Sequence, residues 1–378
     1  MRKVLLFFLA LTSLSTSAQI TSGYYRVRNL STERYMSIVD TNASVEIDGT
    51  TVIADLRAIH MLKGFEDSVA YNPATICYID YTGSGEKYNL LGQGLNFYTA
   101  TNGRYLNAKK NGECYLIYAS ESRSGLTVRK SLMDDPGRYD DYLYPSIADY
   151  NTTSSFNWYV LPVDQSDTQY FGIKPDVKAT ADDSYWSTLY AGFPFKASDP
   201  DMKTYIVKTV DNTRGYAVIA EVDDVPAELP VLIRCAGETP ITNKTTLLSP
   251  STTASYGTNY LLGNYYCNDV EASTGHRNVK AYNPSTMRIL GTTADGKSAF
   301  VKSNISYLPA NKCYLAVSSD APDVLQIVTE AEYATGIHEL NVSTTTDDTK
   351  VIYDLQGRRV TAPTKGLYIV NGKKVIIK

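Results

Sequence analysis

Apolar and polar residues alternate along this chain in short runs with the period of two that belongs to half-buried strands. Gly23–Asn29 reads as a first strand, and Ser31–Ser37 as a turn entering a second. The same unit recurs at Thr101–Asn107, and Phe156–Leu161 forms a late strand around Trp158. Farther along, Thr204–Val210, Tyr216–Val222, Val231–Arg234, Met287–Leu290, Ala299–Val301 and Leu308–Val317 carry the strand signature, with Asp295-Gly296 as a turn between two of them. Val351–Tyr353, Leu367–Val370 and Val375–Ile377 close the chain, the last two joined by Asn371-Gly372, a pair that accepts the positive φ of a tight type I′ turn. Helical spacing is confined to Ile53–Lys63, where apolar side chains fall at 53, 56, 59 and 62 before Gly64. The pattern predicts an all-β chain with a minor helix.

Punctuation divides it into five segments. Residues 1–18 read as a signal peptide: Arg2 and Lys3, an apolar run Val4–Leu11, then small residues with Thr16 and Ala18 placed for cleavage before Gln19. That run is too short to span a bilayer as a helix, and no other stretch approaches spanning length. The expected location is secreted or on the outer cell surface. Residues 19–165 and 166–332 form two β-rich domains, the second a sandwich or barrel. The polar, Thr- and Asp-rich segment 333–349 reads as a linker, and 350–378 as a small C-terminal β module.

Charge and composition narrow the function. A net charge of −4 without a basic stripe excludes nucleic acid as a partner. Tyrosine is abundant, with 31 copies, and its flat ring with a polar tip suits both wet sheet rims and sugar stacking. Five cysteines are widely spaced without a CxxC pair, so no zinc site is expected, and the odd count leaves at least one thiol unpaired. His60, His276 and His338 are isolated, and the chain lacks HExxH, GxSxG and phosphate-loop motifs. No catalytic residue, metal or cofactor is therefore expected. Asp182, Asp183, Glu221, Asp223 and Asp224 are the candidates for the carboxylate pair a glycosidase needs, though turns favour such acids anyway. Asp134–Tyr142 reads as a solvated acidic loop without EF-hand spacing.

Three stretches resemble known families. A polar turn followed by an aromatic and an aliphatic residue entering a strand, at Tyr35-Met36 and Tyr105-Leu106, with a closing Trp158 strand, resembles the ricin-type β-trefoil. The segment with Trp186–Tyr190, Phe193–Phe195, Pro230–Ile233, Leu261–Gly263 and Leu308–Leu315 is similar to an all-β domain of Bacteroidetes surface and secreted proteins. Tyr353–Val360 with Lys365–Val375 resembles the type A sorting domain of the type IX secretion system, and implies secretion machinery as a partner; Ala334–Leu340 stands where a Pro-Asn-Pro segment is usual. The expected function is non-enzymatic binding of an extracellular glycan or surface partner through the first domain. Tyr35, Arg104, Tyr105, Asn107 and Trp158 are the candidate contacts, rings stacking on sugar C–H faces and polar groups reading hydroxyls. Core roles compete for the three aromatics. The alternatives are a glycoside hydrolase of unrecognised type and a structural or adhesion protein acting through protein contacts.

Overall fold

The computed structural model describes residues 19–41, 44–47, 50–54, 58–98, 104–123, 126–136, 144–146, 154–269, 277–335, 352–354, 357–361, 363–370 and 373–377. The fold is nearly all β; the one regular α-helix among the described residues is Glu330–Thr335. The chain divides into two compact units between Val163 and Asp164.

In the first unit the strands are β1 (Gly23–Asn29), β2 (Tyr35–Ile38), β3 (Ser44–Ile47), β4 (Thr50–Ala54), β5 (Ile59–Leu62), β6 (Cys77–Tyr81) and β7 (Lys87–Gly92). They continue as β8 (Leu95–Tyr98), β9 (Arg104–Asn111), β10 (Cys114–Arg123), β11 (Leu126–Met133), β12 (Tyr144–Ser146) and β13 (Asn157–Pro162). Strands β10, β9, β7, β6 and β1 lie side by side, and β13 pairs with both β1 and β10. These six antiparallel strands close into a barrel, which leaves no edge among them. Three excursions leave the ring: the β2–β5 pair, β8, and the β11–β12 pair. The β3–β4 hairpin forms a sheet of its own.

Alternation then decides which side chains face inward. Val27, Ile79, Leu90, Leu106, Ile117 and Trp158 belong to one buried cluster. Met36, Ile59, Met61, Phe97 and Leu132 join it from the excursions. Trp158 is 0% exposed, and its indole N–H donates to the Leu132 carbonyl at 3.1 Å. Arg34 and Asp134 lock the chain before β2 to the chain after β11. Arg34 Nε donates to Asp134 Oδ2 at 3.0 Å, Nη2 donates to Oδ1, and Thr32 Oγ1 donates to Oδ2. Both charged residues are buried, at 3% and 1% exposure.

Three expectations change here. The helix over 53–63 is not formed: residues through Ala54 belong to β4, and Ile59–Leu62 is β5, paired along its length with β2. Within β5 Ile59 and Met61 are buried while His60 and Leu62 are half-buried, so the true period is two. The helical spacing was a coincidence across two strands, overridden by the ladder that β2 offers. Asp134 is not solvated; its Arg34 partner lies 100 residues away in sequence, and residues 137–142 of that loop lie outside the described residues. The recurrent Tyr-aliphatic units do not occupy equivalent places, since Tyr35 sits in an excursion and Tyr105 in the barrel wall.

The second unit holds β14 (Phe171–Gly172), β15 (Val177–Ala179), β16 (Ser184–Leu189), β17 (Phe195–Ala197), β18 (Lys203–Asp211), β19 (Tyr216–Val222) and β20 (Asp224–Val225). It continues with β21 (Val231–Cys235), β22 (Lys244–Leu247), β23 (Leu261–Asn264), β24 (Met287–Thr292), β25 (Ser298–Val301), β26 (Lys312–Ala316) and β27 (Val324–Thr329). A long sheet runs β15-β16-β21-β18-β19-β27-β25-β24-β26-β23, antiparallel except for β19–β27, and β14-β22-β17-β20 form a smaller one. The long sheet curls until β26 meets β16: Tyr190 N–H donates to the Asn311 carbonyl at 3.0 Å and Cys313 N–H to Thr188 Oγ1 at 3.1 Å. Trp186, Val207, Ile219, Leu232, Phe300 and Leu325 fill the curl. Near the C-terminus β28 (Ile352–Tyr353), β29 (Gly366–Val370) and β30 (Lys373–Ile377) form an antiparallel sheet, with Val370 opposite Lys373; Asn371 and Gly372, expected to turn between them, lie outside the described residues. Of the expected linker 333–349, residues 333–335 finish the helix and the remainder lies outside the described residues.

The Arg34–Asp134 pair yields a test. Asp134→Ala strands a buried guanidinium, a change that costs about 3–5 kcal/mol. Urea unfolding in a Trp186→Phe background, where Trp158 is the remaining reporter, should show that loss, and Arg34→Met/Asp134→Leu should recover most of it.

Candidate functional site

Because one set of alternating side chains fills the barrel, the other set forms its outer wall. On β6, β7 and β9 that set includes Tyr78, Asp80, Lys87, Asn89, Tyr105 and Asn107. Register brings them together: Asp80 lies opposite Asn89, and Lys87 opposite Asn107. Continuing the β7–β9 register by one residue puts Asn89 opposite Tyr105. The Lys87 ammonium lies 4.9 Å from the centre of the Tyr105 ring. Asp80 accepts from Ser22 Oγ at 2.8 Å and from Asn89 Nδ2 at 3.4 Å. Tyr24 and Tyr78 meet edge to face with centroids 5.0 Å apart. Burial, and secondarily Asp80 and Tyr25, raises the Tyr78 phenol above its ordinary value, so it keeps its proton as a donor.

Asp80, Lys87, Asn89 and Tyr105 are all half-exposed. A carboxylate, an ammonium, an amide and a ring therefore share one rigid wall. Such a set can stack on a C–H face and exchange hydrogen bonds with hydroxyls. It contains neither a histidine nor an activated nucleophile.

The five residues nominated from sequence separate. Tyr105 lies on this wall, and Asn107 beside it is 6% exposed, donating to Ser120 Oγ at 2.7 Å. The Arg104 backbone pairs with Glu121 at the start of β9; its side chain lies outside the described residues. Tyr35 is 5% exposed, with its ring centre 6.3 Å from that of Phe65, and Trp158 is enclosed in the barrel. Sequence reading missed Asp80, Lys87 and Asn89. The alternation of Cys77–Tyr81 and Lys87–Gly92 carried their orientation, but their proximity depends on strand register.

The second unit contains a groove of about 370 Å³ whose lining includes Lys196, Asp199, Lys203, Glu221, Asp223 and Asp224. Three of the acids considered for hydrolysis thus meet there. Glu221 pairs with Lys203 at 2.9 Å and, by hydrogen bonding and charge, raises the lysine's pKa. Lys196 stands opposite Asp224 in the β17–β20 ladder. The other two acids serve local structure: Asp182 accepts from Ser184 Oγ at 2.6 Å, and Asp183 pairs with Lys178 at 2.8 Å.

A serine and a lysine also meet where the sheet closes. Lys312 Nζ lies 3.1 Å from Ser187 Oγ and 2.8 Å from Asp176 Oδ1, while Ser187 Oγ donates to Asp176 Oδ2 at 2.9 Å. Ser187 is 0% exposed, so no substrate reaches that hydroxyl; the trio ties β26 to β16. Among the described residues, no group of three His, Cys, Asp or Glu is arranged to hold a metal. His276 and His338 lie outside the described residues.

All five cysteines are free thiols. Burial pushes Cys77, Cys235 and Cys313 up to about 12. Cys114 is buried too, and Cys267 is half-buried.

Comparison of the chain with protein-family models, curated proteins and solved structures gives no match.

Since the thiolate is the reactive form, alkylation of the native protein near pH 8 should mark Cys267 first. Cys77, Cys235 and Cys313 should label only after unfolding, as read by peptide mass spectrometry.

Proposed function

We propose that this chain is an exported, extracellular protein that binds a glycan, without chemistry of its own, through the β6–β7–β9 wall of its first unit. One observation carries the reading: Asp80, Asn89, Lys87 and Tyr105, from three strands, share a single half-exposed face. The strand order supports the trefoil-like part of it. Barrel strands β1 and β6, β7 and β9, and β10 and β13 are each separated in the chain by an excursion off the barrel, which divides the unit into three lobes. The leader-like residues 1–18 support export, and the antiparallel β28–β29–β30 module supports a terminal element engaged by secretion machinery.

A second reading, glycoside hydrolysis, rests on the groove lined by Glu221, Asp223 and Asp224. Its signature would be release of reducing ends that stops in Glu221→Gln.

A glycan array with the mature chain tests the preferred reading. Binding should appear in the millimolar-to-micromolar range. Tyr105→Ala should weaken it about tenfold, the contribution of one stacked ring, and Asn89→Ala should weaken it with less effect on melting temperature. An array without a hit, or a hit indifferent to both substitutions, overturns the assignment.

A further inference from the structure

Arg28 occupies β1 of the first unit between two aromatic residues. Register places it opposite Tyr35 of β2 on one side and Tyr159 of β13 on the other. Its guanidinium carbon lies 5.9 Å from the Tyr35 ring centre and 5.0 Å from that of Tyr159. The stack extends inward, since Tyr35 neighbours Phe65, and Phe65 in turn lies 5.2 Å from the Arg26 guanidinium.

The neighbouring arginines have partners. Arg26 Nε donates to Thr75 Oγ1 at 3.1 Å and Nη2 to the Val69 carbonyl at 3.3 Å. Arg34 is forked onto Asp134. The Arg28 side chain makes no hydrogen bond and no ion pair with any described residue, and its Nε is buried without an acceptor. A charged donor left unpaired away from water is costly. The nearby ionisable groups do not relieve it. Tyr159's phenol is raised chiefly by Cys114, through charge and a hydrogen bond, and so stays neutral; Glu113, which also acts on Tyr159, is exposed and forms no pair with Arg28.

A ring stacked on a guanidinium takes its face and leaves the in-plane N–H fork for an oxyanion, which that fork matches in a bidentate way. Arg28 and Tyr159 are both half-exposed, and Nε alone of the guanidinium nitrogens is enclosed, so an anion reaches the fork from its Nη end. We infer that Arg28 anchors an oxyanion subsite for the carboxylate or sulfate group of an acidic sugar. This deepens the glycan reading above and names the substrate class: an acidic polysaccharide, with the uronate carboxylate as the better match to the fork. The rings hold the side chain before the ligand arrives, which lowers the entropy lost on binding.

The test uses the full mature chain and two free anions, sodium glucuronate and inorganic sulfate, read at the Arg28 Nε–Hε cross-peak of an NMR spectrum. Saturable movement of that peak with a dissociation constant in the millimolar range is expected. Whichever anion acts at lower concentration identifies uronate or sulfate ester as the source. Arg28→Gln should remove the site, detected as loss of the accompanying Tyr159 ring shifts, and Arg28→Lys, which keeps the charge and loses the fork, should weaken it about tenfold or more. Tyr105→Ala should leave it intact. If neither anion moves the peak up to about 100 mM, or if Arg28→Gln keeps the ring shifts, the subsite does not exist. A responsive Arg28 with a silent glycan array would overturn the glycan reading alone.

Discussion

Closure of the six-stranded barrel through β13 is the constraint on which the first unit depends. That strand pairs with β1 from Tyr25–Pro162 to Asn29–Trp158 and with β10 at Tyr115–Trp158. Without it β1 and β10 would each present an unpaired edge, the backbone donors and acceptors that sheets tend to satisfy by aggregation. The same strand delivers Trp158 to the interior, so the ladder and the largest buried side chain arrive together. Once the ring is closed, alternation leaves no choice about the other set of side chains. They form a wall whose spacing is held by backbone hydrogen bonds rather than by loops, and such a wall can present polar groups without paying entropy on binding.

Buried arginines show how the fold treats charge. Arg34 is matched by a carboxylate. In the second unit Arg288, 1% exposed, donates to the carbonyls of Pro284, Met287, Ala321 and Pro322 at 2.7–2.9 Å. Carbonyl oxygens satisfy the donors without introducing a second buried ion to desolvate. Half-exposed Arg28 differs from these: its enclosed Nε has rings for company and no acceptor. Local rules broken in an otherwise consistent structure tend to mark functional positions.

Much of the strand content could be read directly from sequence. Tyr216–Val222 was bounded as observed, and Asp295-Gly296 turns with Gly296 at φ 81°. These signals are local, a period of two ended by turn residues. What was not legible was long-range. The apolar positions 53, 56, 59 and 62 suggest a helix until β2 is seen to pair with Ile59–Leu62. Asp134 looks solvated until Arg34 is placed beside it. Arg34-Tyr35 and Arg104-Tyr105 look like repeats, yet one Tyr enters an excursion and the other the barrel wall. The wall itself depends on pairing Asp80 with Asn89 and Lys87 with Asn107, and nothing in either strand alone specifies its partner.

Proximity of reactive groups is a weak guide to chemistry in such a fold. Ser187, Lys312 and Asp176 have the composition of a nucleophile with its base, but the serine is closed to solvent and the lysine is tied to a carboxylate. The trio instead bridges β16 and β26 where the curled sheet meets itself, a place that needs polar partners for the groups the curl encloses. The barrel wall differs in the respect that matters for recognition. Its carboxylate, amide, ammonium and ring are half-exposed, and they are spread over three strands that cannot shift register without turning core residues outward. Rigid placement with access to solvent is what binding a polyhydroxylated ligand requires.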